Sequence, residues 1–142
     1  EGANLQSYLE AKLTGMLSNV DFITERSPVI VAEYKKGLEA KVRDLLGDAA
    51  IEESRILMEV TLYADKICVD EELVRLRSHI EAVRETLRAG GAVGRKLDFI
   101  AQEMNREANT ILSKTNDLAV SDHAIELKTD IEKVREQIQN LE

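Results

Sequence analysis

The sequence predicts an all-α protein, a long kinked helix followed by a helical bundle with coiled-coil features. Three observations carry that reading. In 142 residues there are one Pro and seven Gly, so few positions interrupt a helix. Charged residues make up 32% of the chain and aromatic residues 4%, the balance of solvated helix faces rather than of sheets. Apolar residues recur every three or four positions, and no segment alternates with the period of a strand.

The opening segment places Leu9, Leu13, Met16, Val20 and Ile23 at alternating spacings of four and three, a seam for another helix. Ser27 and Pro28 can cap and begin a second helix. Ile30, Tyr34, Leu38 and Leu45 nearly keep the first register, however, which favours one long helix kinked near Pro28 over a hairpin. From Leu5 to Leu46 such a helix would run about 60 Å at 1.5 Å per residue, and part of it should meet another subunit or domain. Gly47 and Asp48 read as a stop and a cap, with the next helix over roughly 49–66 and Ile56, Val60, Tyr63 and Ile67 on its apolar side. Asp70 is expected to cap a helix through Leu87, and the 89–94 stretch, with three glycines, is the clearest loop. A further helix follows from Gly94. Ser121 is expected to cap the last one, where Ala124, Leu127, Ile131, Val134, Ile138 and Leu141 follow a three-four pattern. The expected organisation is one all-helical domain over 1–142, with an arm at 1–46 and a bundle at 48–142.

Composition bounds the function. A formal net charge of -8 opposes unaided nucleic-acid binding, so any RNA contact must be local, metal-assisted or shared with another domain. With no Trp and only five Phe plus Tyr, base stacking is not expected as the main mode of binding. Cys68, the single cysteine, excludes an internal disulfide and a multi-cysteine metal cluster and is expected to be small and buried. No apolar run approaches the roughly 18 residues that cross a bilayer, and the first residues do not have the pattern of a signal peptide. The expected location is the cytoplasm, with no membrane partner.

The segment GRKLDFIAQEMNREANTILSK, from Gly94 to Lys114, is the most informative. At about 100° per residue, Val93, Leu97, Ile100, Met104, Ala108 and Ile111 form its core stripe. The opposite side is Arg95, Asp98, Gln102, Arg106, Asn109 and Ser113. An idle helix face is usually Lys and Glu, whereas guanidinium and amide groups offer planar donors and acceptors suited to phosphates, bases and carboxylates. Glu103 and Glu107 stand one turn apart on one flank, close enough to share a divalent cation, with Lys96 and Lys114 projecting nearby. Gly94 can leave backbone amides at the helix start open to an anion.

A second constellation is Glu72, Arg75 and His79, along one stripe beside Leu73, Leu76, Ile80 and Leu87. Imidazole changes charge near neutrality and suits proton transfer, guanidinium suits a phosphate oxygen, and Glu72 suits orienting the imidazole or binding a metal. The plain alternative is a structural Glu-Arg pair beside a satisfied histidine. His123, near a helix start, reads as exposed and incidental.

The Gly94–Lys114 segment, the earlier EELVRLRSHI from Glu71 to Ile80 and the closing ELKTDIEKVREQIQNLE together resemble the C-terminal part of the YicC/YloC family of bacterial proteins. The three segments cover about a third of the chain in the family's order. The resemblance implies a cytoplasmic, divalent-metal-dependent endoribonuclease, with Mn2+ or Mg2+ as cofactor, working on RNA as a homo-oligomer, a hexamer. It also implies a preceding N-terminal domain, so the chain, which opens EGANL rather than with Met, is expected to be a C-terminal portion. On that footing His79, Glu72, Arg75, Arg95 and Arg106 are the catalytic candidates, with His79 moving the proton and the arginines holding the phosphate. Asp98, Glu103 and Glu107 are the metal candidates, and Gln102, Asn105, Asn109 and Lys114 the RNA-binding ones. No short metal motif such as HExxH supports the ligand set. The rival readings are a noncatalytic helical oligomerisation scaffold, with the polar face as subunit interface, and an RNA-binding adaptor that needs no metal.

Overall fold

The computed structural model describes residues 2–47 and 51–140. Among these residues the secondary structure is five helices and no strand: α1 Gly2–Leu46, α2 Glu53–Ile67, α3 Asp70–Ala89, α4 Gly94–Lys114 and α5 Leu118–Gln139. α1 continues through Pro28, as the apolar register on both sides of it predicts. Proline has no N–H to give the preceding turn, so this position lacks one helical hydrogen bond.

The chain divides into two compact units, and the division falls within α1 rather than at its end. One unit comprises residues 1–24 with 69–142, and the other 25–68.

In the larger unit, the first half of α1 joins α3, α4 and α5. Lys12 pairs with Asp130 at 3.7 Å and Asn19 with His123 at 2.8 Å, so α5 runs opposite to α1. Glu10 pairs with Arg84 at 3.1 Å and Asp21 with Arg77 at 2.6 Å, so α3 also runs opposite to α1. Arg75 meets Glu107 and Lys114 meets Glu72, which sets α4 opposite to α3. The result is an up-down-up-down four-helix bundle. Its core is the set of predicted stripes: Leu13, Met16, Val20 and Ile23 from α1, Leu76 and Ile80 from α3, Leu97, Ala108 and Ile111 from α4, and Leu127 and Ile131 from α5 are all essentially inaccessible. Each large aliphatic side chain so buried contributes about 1.5–3 kcal/mol against leaving it in water.

The smaller unit is a hairpin of the second half of α1 and α2. Gly47, at φ +60°, ends α1 in the left-handed region and donates its N–H to the Arg43 carbonyl at 2.9 Å, a helix stop that residues with a Cβ adopt reluctantly. Tyr34 and Tyr63 stack with ring centroids 3.8 Å apart. Its buried apolar side chains are Ile56 and Val60, while Leu45, Met58 and Leu62 are exposed.

Several sequence expectations are corrected. Asp70 is the first residue of α3 rather than its cap; Val69 is at the cap position, with no side-chain bond. Asp117, not Ser121, caps α5, its carboxylate accepting from the Val120 N–H at 3.1 Å, because helical backbone begins four residues earlier than a cap at Ser121 requires. α2 starts at Glu53, after an extended Glu52, and α3 reaches Ala89. Cys68 is exposed, since it lies in the two-residue link between α2 and α3 and not on a helix face. His123 is half-buried, stacked on Phe22 at 3.7 Å and bonded to buried Asn19. The expected cap at Asp48, the helix start near Ala49 and the packing of Leu141 lie outside the described residues.

Candidate active site in the groove between α3 and α4

The α3 stripe that borders the core on the α4 side carries Glu72, Arg75 and His79, one turn after another. Glu72 precedes Leu76 by four residues and Glu107 follows Ile100 by seven, spacings that turn both carboxylates toward the helix interface. Both are buried, at 5% and 6% exposure. A carboxylate in such a place persists when cations and donors compensate it. Arg75 supplies this: Nε donates to Glu107 Oε2 at 2.7 Å, one terminal nitrogen lies 3.5 Å from Glu72 Oε2, and the other 3.5 Å from Glu71. Lys114 Nζ donates to the same Glu72 oxygen at 3.2 Å. The other oxygen, Glu72 Oε1, is buried without a hydrogen-bond partner.

The electrostatic consequence is directional. The buried carboxylates act as anchors, and the cations they hold reach the surface, Arg75 with 46% of its side chain exposed and Lys114 with 37%. The hydrogen bond that Arg75 donates to Glu107 raises its guanidinium above its ordinary value; burial opposes this, and the charges of Glu107 and Glu72 add to it. Three of its contacts are fixed by protein, so its orientation is set before any ligand arrives.

Register places His79 and Glu103 next. Pairing Glu72 with Lys114 and Arg75 with Glu107 means that one further turn along α3, to His79, corresponds to one turn back along α4, to Glu103. Both side chains are half-buried at that level. The groove thus presents, in order, a Lys-Glu pair, an Arg-Glu pair, and an imidazole level with a carboxylate.

The remaining candidates divide between two other faces of α4. Arg95, Gln102, Arg106 and Asn109 lie exposed on the outer side, as the wheel predicts. Arg106 is 74% exposed and reaches Glu103 only at 4.0 Å. Asp98 lies nearly opposite Glu107 around the helix: it accepts from Arg135 of α5 at 3.1 Å and from Gln102 at 2.8 Å. Asn105 is on that same α5 flank, half-buried, its Oδ1 buried without a partner. The structure therefore brings together Glu72, Arg75, His79, Glu103, Glu107 and Lys114, and leaves Asp98 and Asn105 on the other side. Among the described residues no group of three His, Cys, Asp or Glu side chains is placed to hold a metal ion. The Arg75–Glu107 and Lys114–Glu72 links were missed in the sequence, although the near-core phase of Glu107 and Glu72 was a signal for them.

The family described as endoribonuclease YicC-like, C-terminal, matches residues 23–142. A relative from Clostridioides difficile (strain 630), named probable endoribonuclease YicC, is 39% identical over 143 residues, covering all of this chain and 49% of the relative. A relative of the same name from Haemophilus influenzae (strain Rd) is 38% identical over 142 residues, again covering the whole chain and 49% of the relative. The chain spans about half the length of these curated relatives. No helix among the described residues is long and apolar enough to cross a membrane.

Proposed function

The chain belongs to the YicC-like endoribonuclease family, and on that premise we propose that it is the C-terminal part of a divalent-metal-dependent endoribonuclease that cleaves RNA phosphodiester bonds in the α3–α4 groove. The observation that carries this reading is the Arg75 guanidinium, exposed yet fixed from behind by buried Glu107 and Glu72. A cation held in this way costs little to reorganise when it meets an anion.

In this mechanism the outward N–H groups of Arg75 hold a phosphate oxygen, and Lys114 adds a second positive charge. His79, one turn from Arg75, accepts the proton from the attacking oxygen or gives one to the leaving oxygen. Glu72 fixes Arg75 and Lys114. Arg95 and Arg106, with Gln102 and Asn109, hold the flanking nucleotides on the outer side of α4, and Asn105 contacts RNA at the α5 edge. Because these contacts are local to one strip, binding is compatible with a chain of net charge -8.

Donor chemistry fits a hard cation, Mn2+ or Mg2+, in one respect. Such ions are often held by one or two carboxylates, with phosphate oxygens and water completing the shell. Glu103, half-buried and only distantly paired, and Glu107, one turn on, are the residues that would hold it; Asp98 is engaged with Arg135 on the far flank. The bound ion would supply positive charge at the phosphoryl group and acidify a water.

A second reading, that the chain assembles copies of the protein as a scaffold, is favoured by the exposed Leu45, Met58 and Leu62 of the smaller unit. It is compatible with the enzyme reading: the protein acts as a homo-oligomer, a hexamer, in the cytoplasm, and the same domain carries site and interface. The test is cleavage of a labelled single-stranded RNA by the full-length protein with Mn2+ or Mg2+, then with chelator, beside His79→Ala. Cleavage that needs both metal and His79 is the expected result. Binding without cleavage would select the adaptor reading, and assembly with neither would select the scaffold.

A further inference from the structure

Five aromatic side chains are present in the chain, and four are already engaged. Phe22 stacks on His123, Tyr34 stacks on Tyr63, and Tyr8 has the Lys12 ammonium over its ring at 5.5 Å. Phe99 is the exception. It is 63% exposed on α4, and among the described residues it is the aromatic ring without a ring or cation partner.

Its surroundings decide what kind of partner the ring suits. An exposed Phe at a protein-binding surface usually sits among other apolar side chains. Around Phe99 at helical neighbour spacing are Arg95 and Lys96 on one side, Gln102 and Glu103 on the other, and Arg106 one turn beyond. Arg95, Lys96, Gln102 and Arg106 are all exposed. A flat apolar face bordered by guanidinium and amide groups suits a planar base on an anionic backbone: the ring stacks, the cations hold phosphates. Its position is also suitable, one turn of α4 before Glu103, which stands level with His79.

We propose that Phe99 is a stacking platform for one nucleobase of the RNA, next to the bond that is cleaved, and that it sets which nucleotide enters the groove. This rests on the RNA-cleaving reading above and adds to it a substrate-positioning residue. It also refines the compositional argument: aromatic stacking is not the main mode of binding, but one ring is kept out of the core for one base.

The test uses full-length protein with metal chelated, so that binding is read without cleavage. An RNA oligonucleotide carrying the fluorescent base 2-aminopurine reports stacking by quenching, and anisotropy reports affinity. Unmodified protein and Phe99→Trp should quench the base. Phe99→Ala and Phe99→Leu should lose the quenching and bind about tenfold more weakly, the scale of one base-aromatic stack. On an oligonucleotide with an abasic site in place of the reporter base the Phe99→Leu loss should vanish, while that of Arg95→Gln persists. Equal quenching and affinity for Phe99→Leu and unmodified protein would overturn the proposal while leaving the cleavage reading intact. Loss of assembly in Phe99→Leu would overturn it in favour of a protein contact. No RNA binding by the unmodified protein would overturn this proposal, whereas the cleavage reading stands or falls on its own assay with metal.

Discussion

Arg75 and Glu107 meet across the α3–α4 interface at 2.7 Å, although 32 residues of sequence separate them. The contact couples fold to site, because the hydrogen bond that satisfies a buried carboxylate also aims an exposed cation. The two roles separate under substitution. Glu107→Gln keeps an acceptor for Arg75 Nε, so the expected loss of stability is below about 1 kcal/mol. Arg75→Leu leaves the buried Glu107 without its main partner and should destabilise the fold more than Glu107→Gln does. Urea unfolding of the two variants checks the order, and a larger loss for Glu107→Gln would contradict it.

Arg75→Lys tests the fork separately from the charge. Lysine retains the positive charge but not the planar set of donors that spans Glu107, Glu72 and a ligand at once. We expect stability to change little and cleavage to slow by at least about tenfold. A variant that cleaves at the unmodified rate would reduce Arg75 to a structural tie.

Proton transfer is predicted to reside in His79. Its removal to alanine should slow cleavage by about 10²–10⁴, with the oligomer intact. It should also change the shape of the pH-rate profile. Arg75 does not contribute to that change. Its raised value means that its interaction is fully present below the ordinary arginine value and is lost only as pH rises through the still higher folded-state value, beyond the working range. A profile of unchanged shape in His79→Ala would exclude the residue as acid or base.

The helices, their order and the core stripes were legible in the sequence because period 3.6 is a local property: Leu97, Met104 and Ile111 are where the wheel puts them, and all are inaccessible. The site was legible only in part. Glu72, Arg75 and His79 share a helix, so their alignment could be read, whereas the facing of Glu107 and Lys114 depends on the register between two helices. Asp98 shows the same limit from the other side. The set of metal candidates joins it with Glu103 and Glu107, yet nine residues from Glu107 is half a turn out of phase, and Arg135 of α5 claims it. Caps were misplaced for a local reason, since Asp117 and Ser121 are both good cap residues and the apolar pattern alone does not choose between them.

Metal dependence should concentrate at Glu103. Glu103→Gln removes one anionic donor without touching a buried ion pair, so stability should stay within about 0.5 kcal/mol. The Mn2+ or Mg2+ concentration for half-maximal cleavage should rise at least about tenfold, whereas Asp98→Asn should leave it unchanged. Titration of cleavage against metal in the two variants distinguishes them. An effect of Asp98→Asn equal to that of Glu103→Gln would move the ion away from the groove.

Assembly is predicted to depend on the smaller unit rather than on the groove. A hairpin whose buried apolar side chains are Ile56 and Val60 leaves Met58 and Leu62 65% and 58% exposed, at spacing that puts them on neighbouring turns of α2. Glutamate at both positions places two charges where a partner would have to desolvate them, at several kcal/mol in an apolar interface. Met58→Glu with Leu62→Glu should therefore lower the mass measured by light scattering while helix content by circular dichroism is kept, since neither side chain is part of the bundle core. Cleavage per subunit in the dissociated variant then says whether one groove suffices. An unchanged mass would place the subunit contact on another face of the protein.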